Sequence, residues 1–485
     1  MNNPIRRLSG VVALLFASLL LSSSYISFWQ AGDLRDKSGN RRTLLENYGR
    51  ERGPILVAGA PIARSVATDN ELKYRRAYAD GPLYAPLTGY YSFVYGAGSG
   101  VERSADPLLS GASDQLFYRR MVDLVTGRKP KGASVELTVD PGAQRAAADA
   151  LGDQKGAVVA LDPRTGAILA MVSSPTYDPN RLAGHDVKAV QRAYAALNDD
   201  PDDPLVNRAI AGDLYPPGST FKIVTAAAAL STGDYTVESE LPGPARLDLP
   251  LTSATLPNDF SGACGPGNKV TMLRALEISC NTAFGSLGIT LGGDALREQA
   301  AKFGFGERLA IPLNVTPSIV PAGMNPPQSA QAAIGQFDVR VTPLQMAMVS
   351  AAVANDGVVM KPFAVRTVRS PELSVLEEGK PQELSQAMSG EVAEQLTQMM
   401  QAVVDDGTGT RAQIAGVSVA GKTGTAQQGN DQPPHAWFTA FAPADDPQVA
   451  IAVVVEDGGR AGNEAAGGRV AAPIAKRVLE AVLRR

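Results

Sequence analysis

Histidine, cysteine and aromatic residues are scarce in this chain. Its 485 residues include two histidines, His185 and His435, two cysteines, Cys264 and Cys280, and 6% aromatic residues. A zinc site built from Cys and His would need nearly all four of these side chains, and their spacing fits no familiar ligand pattern. We therefore expect neither a metal nor a cofactor, and nucleophilic chemistry here needs a base other than histidine.

An excess of charge of one sign is also missing. The net charge is -4, and no long basic run occurs, so nucleic acid is not expected as a partner. Hydrophobic residues make up 44% and charged residues 19% of the chain, which is typical of a globular protein. This length predicts about two to four domains.

One long uncharged run stands at the N-terminus. Arg6 and Arg7 precede an apolar stretch that continues from Leu8 to Trp29. About 22 uncharged residues suffice for a helix to cross the ~30 Å hydrocarbon core. We expect residues 1–7 in the cytoplasm, 8–30 as a membrane anchor and the rest outside the membrane. A cleaved signal peptide is the alternative.

Three short strings in the second half carry the chemistry. They are Ser219–Lys222 (Ser-Thr-Phe-Lys), Ser279–Asn281 (Ser-Cys-Asn) and Lys422–Thr425 (Lys-Thr-Gly-Thr). Each string alone is weak evidence of catalysis, since a serine at a helix start is most often a helix cap and a lysine in a strand is most often solvated. Together and in this order they supply a nucleophile, a base, a proton relay and a binding site for a carboxylate.

The local pattern places the first string at a helix start. The helix predicted from Phe221 to Leu230 puts Ser219 at or just before the first turn, where backbone N–H groups are free. Lys222 lies three residues on and can reach the Ser219 hydroxyl. Burial and a second cation, Lys422, would lower the Lys222 pKa and make it a base. Gly421 and Gly424 would let a substrate backbone approach the strand that carries Lys422.

The two cysteines lie 16 residues apart, and Cys280 is the middle residue of the second string. In an oxidising compartment a Cys264–Cys280 disulfide would fix one wall of the proposed site. It would stabilise the folded protein by about 3 kcal/mol. Two buried free thiols are the alternative.

Strand and helix patterns predict an α+β fold. A strand at 135–139, a helix at 141–151 and a hairpin from 157–161 and 167–172 open the second part of the chain. Helical segments fill much of 221–302 and 328–355, and strand patterns return at 418–420, 436–442 and 449–456. We expect an antiparallel sheet assembled from both ends of a 135–485 domain. Residues 31–134 show no catalytic constellation and suit spacing or docking.

These strings resemble the class B penicillin-binding proteins, the monofunctional peptidoglycan transpeptidases. The resemblance extends to motifs elsewhere, and the N-terminal module and cysteine placement resemble an actinobacterial subgroup. It implies a penicillin-binding transpeptidase or serine β-lactamase-like domain at 135–485, after a pedestal or dimerisation-like module at 31–134. The further motifs are Arg52–Ile55, Leu87–Tyr90, Gly100–Glu102, Leu108–Gly111, Leu137–Asp140 with Gln144, Asp162–Gly166, Thr342–Met346 and Asn355–Gly357.

The resemblance also implies roles for individual residues. Ser219 would attack the D-Ala-D-Ala carbonyl of a stem peptide, and Lys222 would take its proton. Ser279 would relay a proton to the leaving amine, Asn281 would hold the peptide amide and orient Lys222, and Lys422 would set the local electrostatics.

The third string would bind the substrate. Thr425 and Thr423 would hold the terminal carboxylate, with Gly424 between them. The backbone N–H groups of Ser219 and Thr425 would form the oxyanion hole. An amine from a neighbouring stem would then resolve the acyl-enzyme, and penicillins would acylate Ser219 because they mimic the dipeptide.

Residues 31–134 are too short for a glycosyltransferase domain. The resemblance therefore implies a separate membrane polymerase, of the shape, elongation and division family, as a partner. A D,D-carboxypeptidase and a β-lactamase share the three strings and remain alternatives. So do a β-lactam sensor and a catalytically silent scaffold.

Overall fold

The chain begins with one long apolar helix. We describe a computed structural model that covers residues 3–30, 48–116, 131–429 and 432–484. Helix α1 (Asn3–Phe28) includes a 25-residue span, Asn3–Ser27, that is apolar enough to cross a membrane and is not buried in the protein. The expected apolar N-terminal helix is confirmed. It starts before the predicted residue 8, because Arg6 and Arg7 continue the helix.

The other helices and the strands alternate along the chain. The helices are α2 (Gly81–Thr88), α3 (Gly100–Ser104), α4 (Asp106–Leu109), α5 (Pro141–Leu151), α6 (Val187–Asn198), α7 (Lys222–Leu230), α8 (Met272–Glu277), α9 (Asn281–Lys302), α10 (Pro326–Ala332), α11 (Pro343–Ala354), α12 (Gly390–Asp405) and α13 (Gly467–Leu483). The strands are β1 (Ile55–Val57), β2 (Ala60–Ala67), β3 (Tyr74–Tyr78), β4 (Tyr91–Ser92), β5 (Gly96–Ala97), β6 (Ser134–Leu137), β7 (Gly156–Leu161), β8 (Ile168–Ser174), β9 (Glu240–Pro242), β10 (Arg246–Asp248), β11 (Thr255–Pro257), β12 (Lys269–Thr271), β13 (Val358–Met360), β14 (Val365–Arg369), β15 (Val375–Glu378), β16 (Glu383–Gln386), β17 (Ala420–Ala426), β18 (His435–Ala442) and β19 (Val449–Val455).

A five-stranded antiparallel sheet forms the centre of the larger part of the protein. Its strand order is β17-β18-β19-β7-β8. The β19–β7 ladder, in which Val453 pairs with Val158, joins the last strands of the chain to the first strands of this part. The expected antiparallel sheet built from both ends of the domain is confirmed.

Helices cover both faces of this sheet. In β19, Ala452 and Val454 belong to one hydrophobic cluster, whereas Ile451 and Val453 belong to another. Helices α5 and α13 pack on the second face and α11 on the first. Since both faces are buried, β19 is a continuous apolar run rather than an alternating pattern.

A second sheet joins the N-terminal module to the larger part. Its order is β15-β14-β6-β1-β2-β3, with β6 parallel to β1 and antiparallel to β14. The strand predicted at 135–139 is therefore real but belongs to this sheet and not to the central one. Val135 and Leu137 alternate inward as expected, but alternation identifies a strand without naming its partner.

The structure of residues 240–271 differs from the sequence prediction, which made much of 221–302 helical. They form two small antiparallel ladders, β9 with β12 and β10 with β11. Pro242, Pro244 and Pro257 interrupt this stretch, and proline cannot continue a helix interior. Helices occur on either side of it, as α7, α8 and α9.

A buried ion network holds the N-terminal module together. Glu102 is fully buried and accepts from Arg52 Nε and Arg76 Nε, each at 2.6 Å, and from the Tyr78 hydroxyl at 3.1 Å. Burial alone raises the pKa of the Glu102 carboxyl, but attraction to Arg76 and Arg52 outweighs it and the net shift is downward. The network ties α3 to strand β3 and to the segment that leads into β1.

We predict that Glu102→Gln destabilises the protein strongly. The change leaves two buried guanidinium groups without their shared carboxylate, and breaking a buried ion pair in this way costs about 3–5 kcal/mol. Urea unfolding of the detergent-solubilised chain measures the effect. Arg145→Gln is the control, because the Arg145–Asp80 pair is exposed and such pairs are worth at most about 1 kcal/mol. Equal losses in the free energy of unfolding in the two variants would contradict the prediction.

Candidate active site

Ser219 lies in a tight turn against the edge strand β17. The turn Gly218–Phe221 is 3₁₀-helical and leads directly into α7, so Ser219 precedes the helix as the sequence predicts. Gly218 has a φ of 53°, and a Cβ there would stand 2.7 Å from the Thr425 carbonyl oxygen. Glycine is needed at 218 for both its conformation and this close approach.

The second string holds Lys222. Its Nζ lies 2.8 Å from the Ser279 carbonyl oxygen, 2.7 Å from Asn281 Oδ1 and 3.2 Å from Ser279 Oγ. The lysine is fully buried, and its Nζ lies 5.6 Å from the centre of the Phe284 ring. Within the described residues, the Ser219 hydroxyl makes no hydrogen bond, to Lys222 or to any other group. Catalytic hydrogen bonds are often long before substrate binds.

The junction between α8 and α9 presents Ser279 and Asn281. Ser279 has a φ of 60°, in the left-handed region that residues other than glycine seldom adopt. The Asn258 side-chain oxygen accepts from the backbone N–H groups of Asn281 and Thr282, at 3.0 and 3.1 Å. These bonds satisfy free donors at the start of α9. The Asn281 side chain is oriented by its own bonds, because its Nδ2 donates to the Pro257 carbonyl oxygen at 3.3 Å and its Oδ1 accepts from Lys222.

Lys422 approaches Ser279 from the opposite side. It lies in β17, is fully buried, and its Nζ donates to Ser279 Oγ at 2.9 Å and to the Thr423 carbonyl oxygen at 3.0 Å. The Ser279 hydroxyl therefore stands between two lysine nitrogens. The three strings, distant in sequence, meet at this oxygen.

Burial lowers the pKa of both lysines. Desolvation brings the pKa of Lys222 to about 7, against a small opposing effect of Asp259. The pKa of Lys422 also falls well below its usual value, first because of burial and then because of repulsion from Lys222, with Asp259 again opposing. Repulsion between the two cations therefore lowers the pKa of Lys422, whereas burial lowers that of Lys222, and the effect of Lys422 on Lys222 that the sequence predicts stays a prediction.

The contacts around Lys222 suit both protonation states of its amine, since a charged lysine can donate to all three oxygens. A neutral lysine has two N–H donors and one lone pair. The donors match the Ser279 carbonyl oxygen and Asn281 Oδ1, and the lone pair can accept the Ser279 hydroxyl. Ser279 can then accept from Lys422 and donate to Lys222. This arrangement can carry a proton from one lysine to the other.

A cavity of about 400 Å³ opens beside these groups. Thr423 and Thr425 line it, and Thr423 Oγ1 lies 2.6 Å from Thr408 Oγ1. The other lining residues are Ser219, Asp259, Phe260, Ile278, Ser279, Thr408, Thr410, Arg411, Ala466, Gly467, Gly468 and Arg469.

Gly424 does not line this cavity. A Cβ there would lie 2.9 Å from Trp437 Cβ and 3.0 Å from the Pro217 carbonyl oxygen. A Cβ at Gly421 would lie 2.7 Å from the Phe438 ring. In the structure both glycines therefore make room for packing within the protein. Their expected role of admitting a substrate backbone stays a prediction.

A disulfide bond joins Cys264 to Cys280. The expected pairing is confirmed, and free thiols are excluded for these two residues. Cys280 stands between Ser279 and Asn281 and precedes α9. The bond therefore ties the loop after β11 to the residues that hold Lys222.

Sequence reasoning missed several residues around the cavity. Asn258, Asp259 and Thr408 come from loops that carry no recognisable motif, and Gly467 opens the distant helix α13. In residues 3–30, 48–116, 131–429 and 432–484, no group of three or more His, Cys, Asp or Glu side chains is placed to hold a metal ion.

Two protein families match the chain. Residues 156–480 match the penicillin-binding protein transpeptidase domain. Residues 52–135 match the penicillin-binding protein A dimerisation domain.

Curated relatives match over the full length. The peptidoglycan D,D-transpeptidase PbpA of Mycolicibacterium smegmatis is 44% identical over 493 residues, covering 100% of this chain and 99% of that protein. PbpA of Mycobacterium tuberculosis is 43% identical over 494 residues, with the same coverage.

Solved structures have the same fold. Penicillin-binding protein A from M. tuberculosis, as its ceftriaxone acyl-enzyme complex, gives a TM-score of 0.87 at 43% identity, covering 90% of this chain and 100% of that one. Its penicillin G acyl-enzyme complex gives 0.85 at 43% identity and the same coverage. The transpeptidase match over most of the chain and the full-length identity together show that this chain belongs to the penicillin-binding protein transpeptidase family and resembles penicillin-binding protein A throughout its length.

Proposed function

We propose that this chain is a peptidoglycan D,D-transpeptidase that cross-links stem peptides through an acyl ester on Ser219. The observation that carries the proposal is the Ser279 hydroxyl, held between the buried nitrogens of Lys222 and Lys422 beside a cavity that Ser219 lines. This arrangement supplies a base and a proton relay without histidine. The similar penicillin-binding protein A of M. tuberculosis forms acyl-enzyme complexes with ceftriaxone and penicillin G, and this supports the same chemistry here.

Acylation would begin with neutral Lys222. The amine takes the Ser219 proton as Ser219 Oγ forms a bond to the carbonyl carbon of the penultimate D-Ala. A pKa near 7 keeps a large share of Lys222 neutral at physiological pH. That value also leaves the protonated amine acidic enough to give the proton up again.

The leaving group would receive its proton through Ser279. The C–N bond to the terminal D-Ala breaks, and the departing amine takes a proton from the Ser279 hydroxyl. Lys222 or Lys422 then returns a proton to Ser279, because both nitrogens lie within 3.2 Å of its oxygen.

The remaining contacts would position the substrate. Backbone N–H groups of Ser219 and Thr425 would stabilise the developing oxyanion, and the hydroxyls of Thr423 and Thr425 would hold the terminal carboxylate. Both threonines line the cavity with Ser219, which supports this assignment. Asn281 would hold Lys222 and the peptide amide, with Gly424 keeping the strand close to the Ser219 turn.

The second half-reaction would resolve the ester. An amine of a neighbouring stem peptide attacks the acyl carbon and gives up one proton, the bond to Ser219 Oγ breaks, and Lys222 passes a proton back to Ser219. The product is the cross-linked peptide. A β-lactam would enter the same path at the first step but leave a long-lived ester.

The membrane arrangement is also part of the proposal. Helix α1 would span the membrane once, with residues 1–7 in the cytoplasm and the catalytic domain outside. Arg6 and Arg7 at the short end support this orientation. Glycan polymerisation would come from a separate membrane glycosyltransferase, of the shape, elongation and division family.

Intact-mass spectrometry after exposure to penicillin tests the acyl-serine directly. The detergent-solubilised chain should gain one drug mass, and Ser219→Ala should gain none because the attacking oxygen is gone. Ser231→Ala, at the end of the same helix α7, is the matched control and should still react. Rapid drug hydrolysis without a stable adduct would instead indicate a β-lactamase. An unmodified protein with intact drug would indicate a silent scaffold.

The acylation rate should depend on pH with a midpoint near 7. Below that pH Lys222 is protonated and cannot accept a proton, so the second-order rate for penicillin should fall about tenfold per pH unit. Above it the rate should level off. An ordinary lysine would keep the rate rising toward about pH 10.

The pH midpoint could come from Lys222 or from a histidine, His435, and variants of the two residues separate these sources. His435 is buried and its pKa is lowered by burial, but it makes no hydrogen bond to the three strings in the described part of the chain. His435→Gln should therefore keep the midpoint, whereas Lys222→Arg should lose acylation by about 10²-fold or more. Loss of the midpoint in His435→Gln would refute the assignment to Lys222.

Protease accessibility checks the orientation. In intact spheroplasts, external protease should digest the domain beyond residue 30 and spare an epitope tag fused before Met1. A protected catalytic domain would reverse the orientation. Loss of the N-terminal tag from the mature membrane protein would favour the cleaved signal peptide.

A further inference from the structure

A basic groove opens beside the active-site cavity. Its volume is about 550 Å³, and four arginines line it, namely Arg411, Arg460, Arg469 and Arg477. Of the described residues that line it, Glu464 is the only acid. None of the three catalytic strings lies in this groove, and the proposed reaction does not use it.

The groove and the active-site cavity share two residues. Arg411 and Arg469 line both. Ser219 and Thr423 stand in the cavity on one side of this pair, and Arg460 and Arg477 stand in the groove on the other. Arg411 and Arg469 therefore form the boundary that the cavity and the groove have in common, and a peptide held at Ser219 that extends past Arg411 would reach the groove.

The positive charge of the groove is only partly neutralised. Arg460 pairs with Asp153 at 2.5 Å, and Arg469 lies 3.8 Å from Glu464. Arg411 and Arg477 have no carboxylate partner in the described part of the chain. Helix α13 starts beside the groove and has no acidic residue in its first turn, so its dipole adds to the positive potential.

Apolar side chains of α13 also line the groove. They are Val470, Pro473 and Ile474, of which Ile474 is only 4% exposed. Apolar side chains of this kind suit the methylene and methyl groups of a peptide. The guanidinium groups of the same groove suit single carboxylates, which arginine binds through two parallel hydrogen bonds.

We infer that this groove binds a carboxylate-bearing segment of the peptide substrate and selects stems that are anionic on that side of the reacting bond. The inference rests on the proposed transpeptidase function and adds a specificity site to it. The segment would run from Ser219 past Arg411 and place its carboxylate among Arg411, Arg460 and Arg477.

Two matched peptides test the inference. Both end in D-Ala-D-Ala and differ only in a side-chain carboxylate or carboxamide upstream of it, and release of D-Ala is followed with a free amine acceptor. The wild-type chain should favour the carboxylate by about fivefold in kcat/KM, the scale expected of partly exposed ion pairs. Arg460→Gln/Arg477→Gln should bring the two peptides to nearly equal kcat/KM by slowing the acidic one alone.

A charge-matched control lies on the same helix. Lys476→Gln removes one positive charge from α13 next to Arg477, but Lys476 does not line the groove. It should keep the preference for the carboxylate, and Arg477→Lys should keep most of it. If Lys476→Gln abolishes the preference as fully as the double variant does, the preference comes from the general positive charge of α13. The groove is then not a binding site for the carboxylate.

Penicillin acylation of Ser219 separates this inference from the function it rests on. If the wild-type chain fails to form the adduct, both proposals fail. If it forms the adduct but processes both peptides equally, only the groove is refuted. Equal losses for both peptides in the double variant would also overturn the inference, because they indicate a structural role for the two arginines.

Discussion

Two buried lysines around one serine hydroxyl set the constraint on which this structure depends. Lys222 and Lys422 are both fully buried, and each lies within 3.2 Å of Ser279 Oγ. Keeping a charged ammonium out of water costs several kcal/mol per ion, and two close cations repel each other. The protein therefore favours loss of a proton from the pair. The pKa of Lys222 falls to about 7, which is the property that the proposed function requires of a base in a chain with two histidines.

The surroundings of the lysines serve to hold this geometry. Asn258 caps the start of α9, and the disulfide at Cys280 ties that helix start to a neighbouring loop. On the other side, Gly218 and Gly424 let the Ser219 turn and strand β17 approach closely. Side chains at either glycine would separate Ser219 from the strand. Distances below 3.5 Å between three remote segments survive only where such close packing is available.

The central sheet is what brings those segments together. Strand β17 stands at its edge, and β19 pairs with β7, so the chain closes on itself around α7 and α9. The six-stranded sheet extends the same order to the N-terminal module through β6. The Glu102 network then holds the elements of that module together.

The sequence by itself determined the strings, their order, the apolar helix α1, the helix at 141–151, and the strands that open and close the domain. These are local patterns, in which residue type and spacing follow the backbone period. Only the tertiary structure decided that β6 joins the second sheet, that Gly424 faces the Ser219 turn, and that Asp259, Thr408 and α13 complete the cavity. It also decided that Arg411 and Arg469 link that cavity to a basic groove. Packing between residues that are distant in sequence decides which strands pair and which side chains share a cavity. The local spacing of residue types does not contain this information.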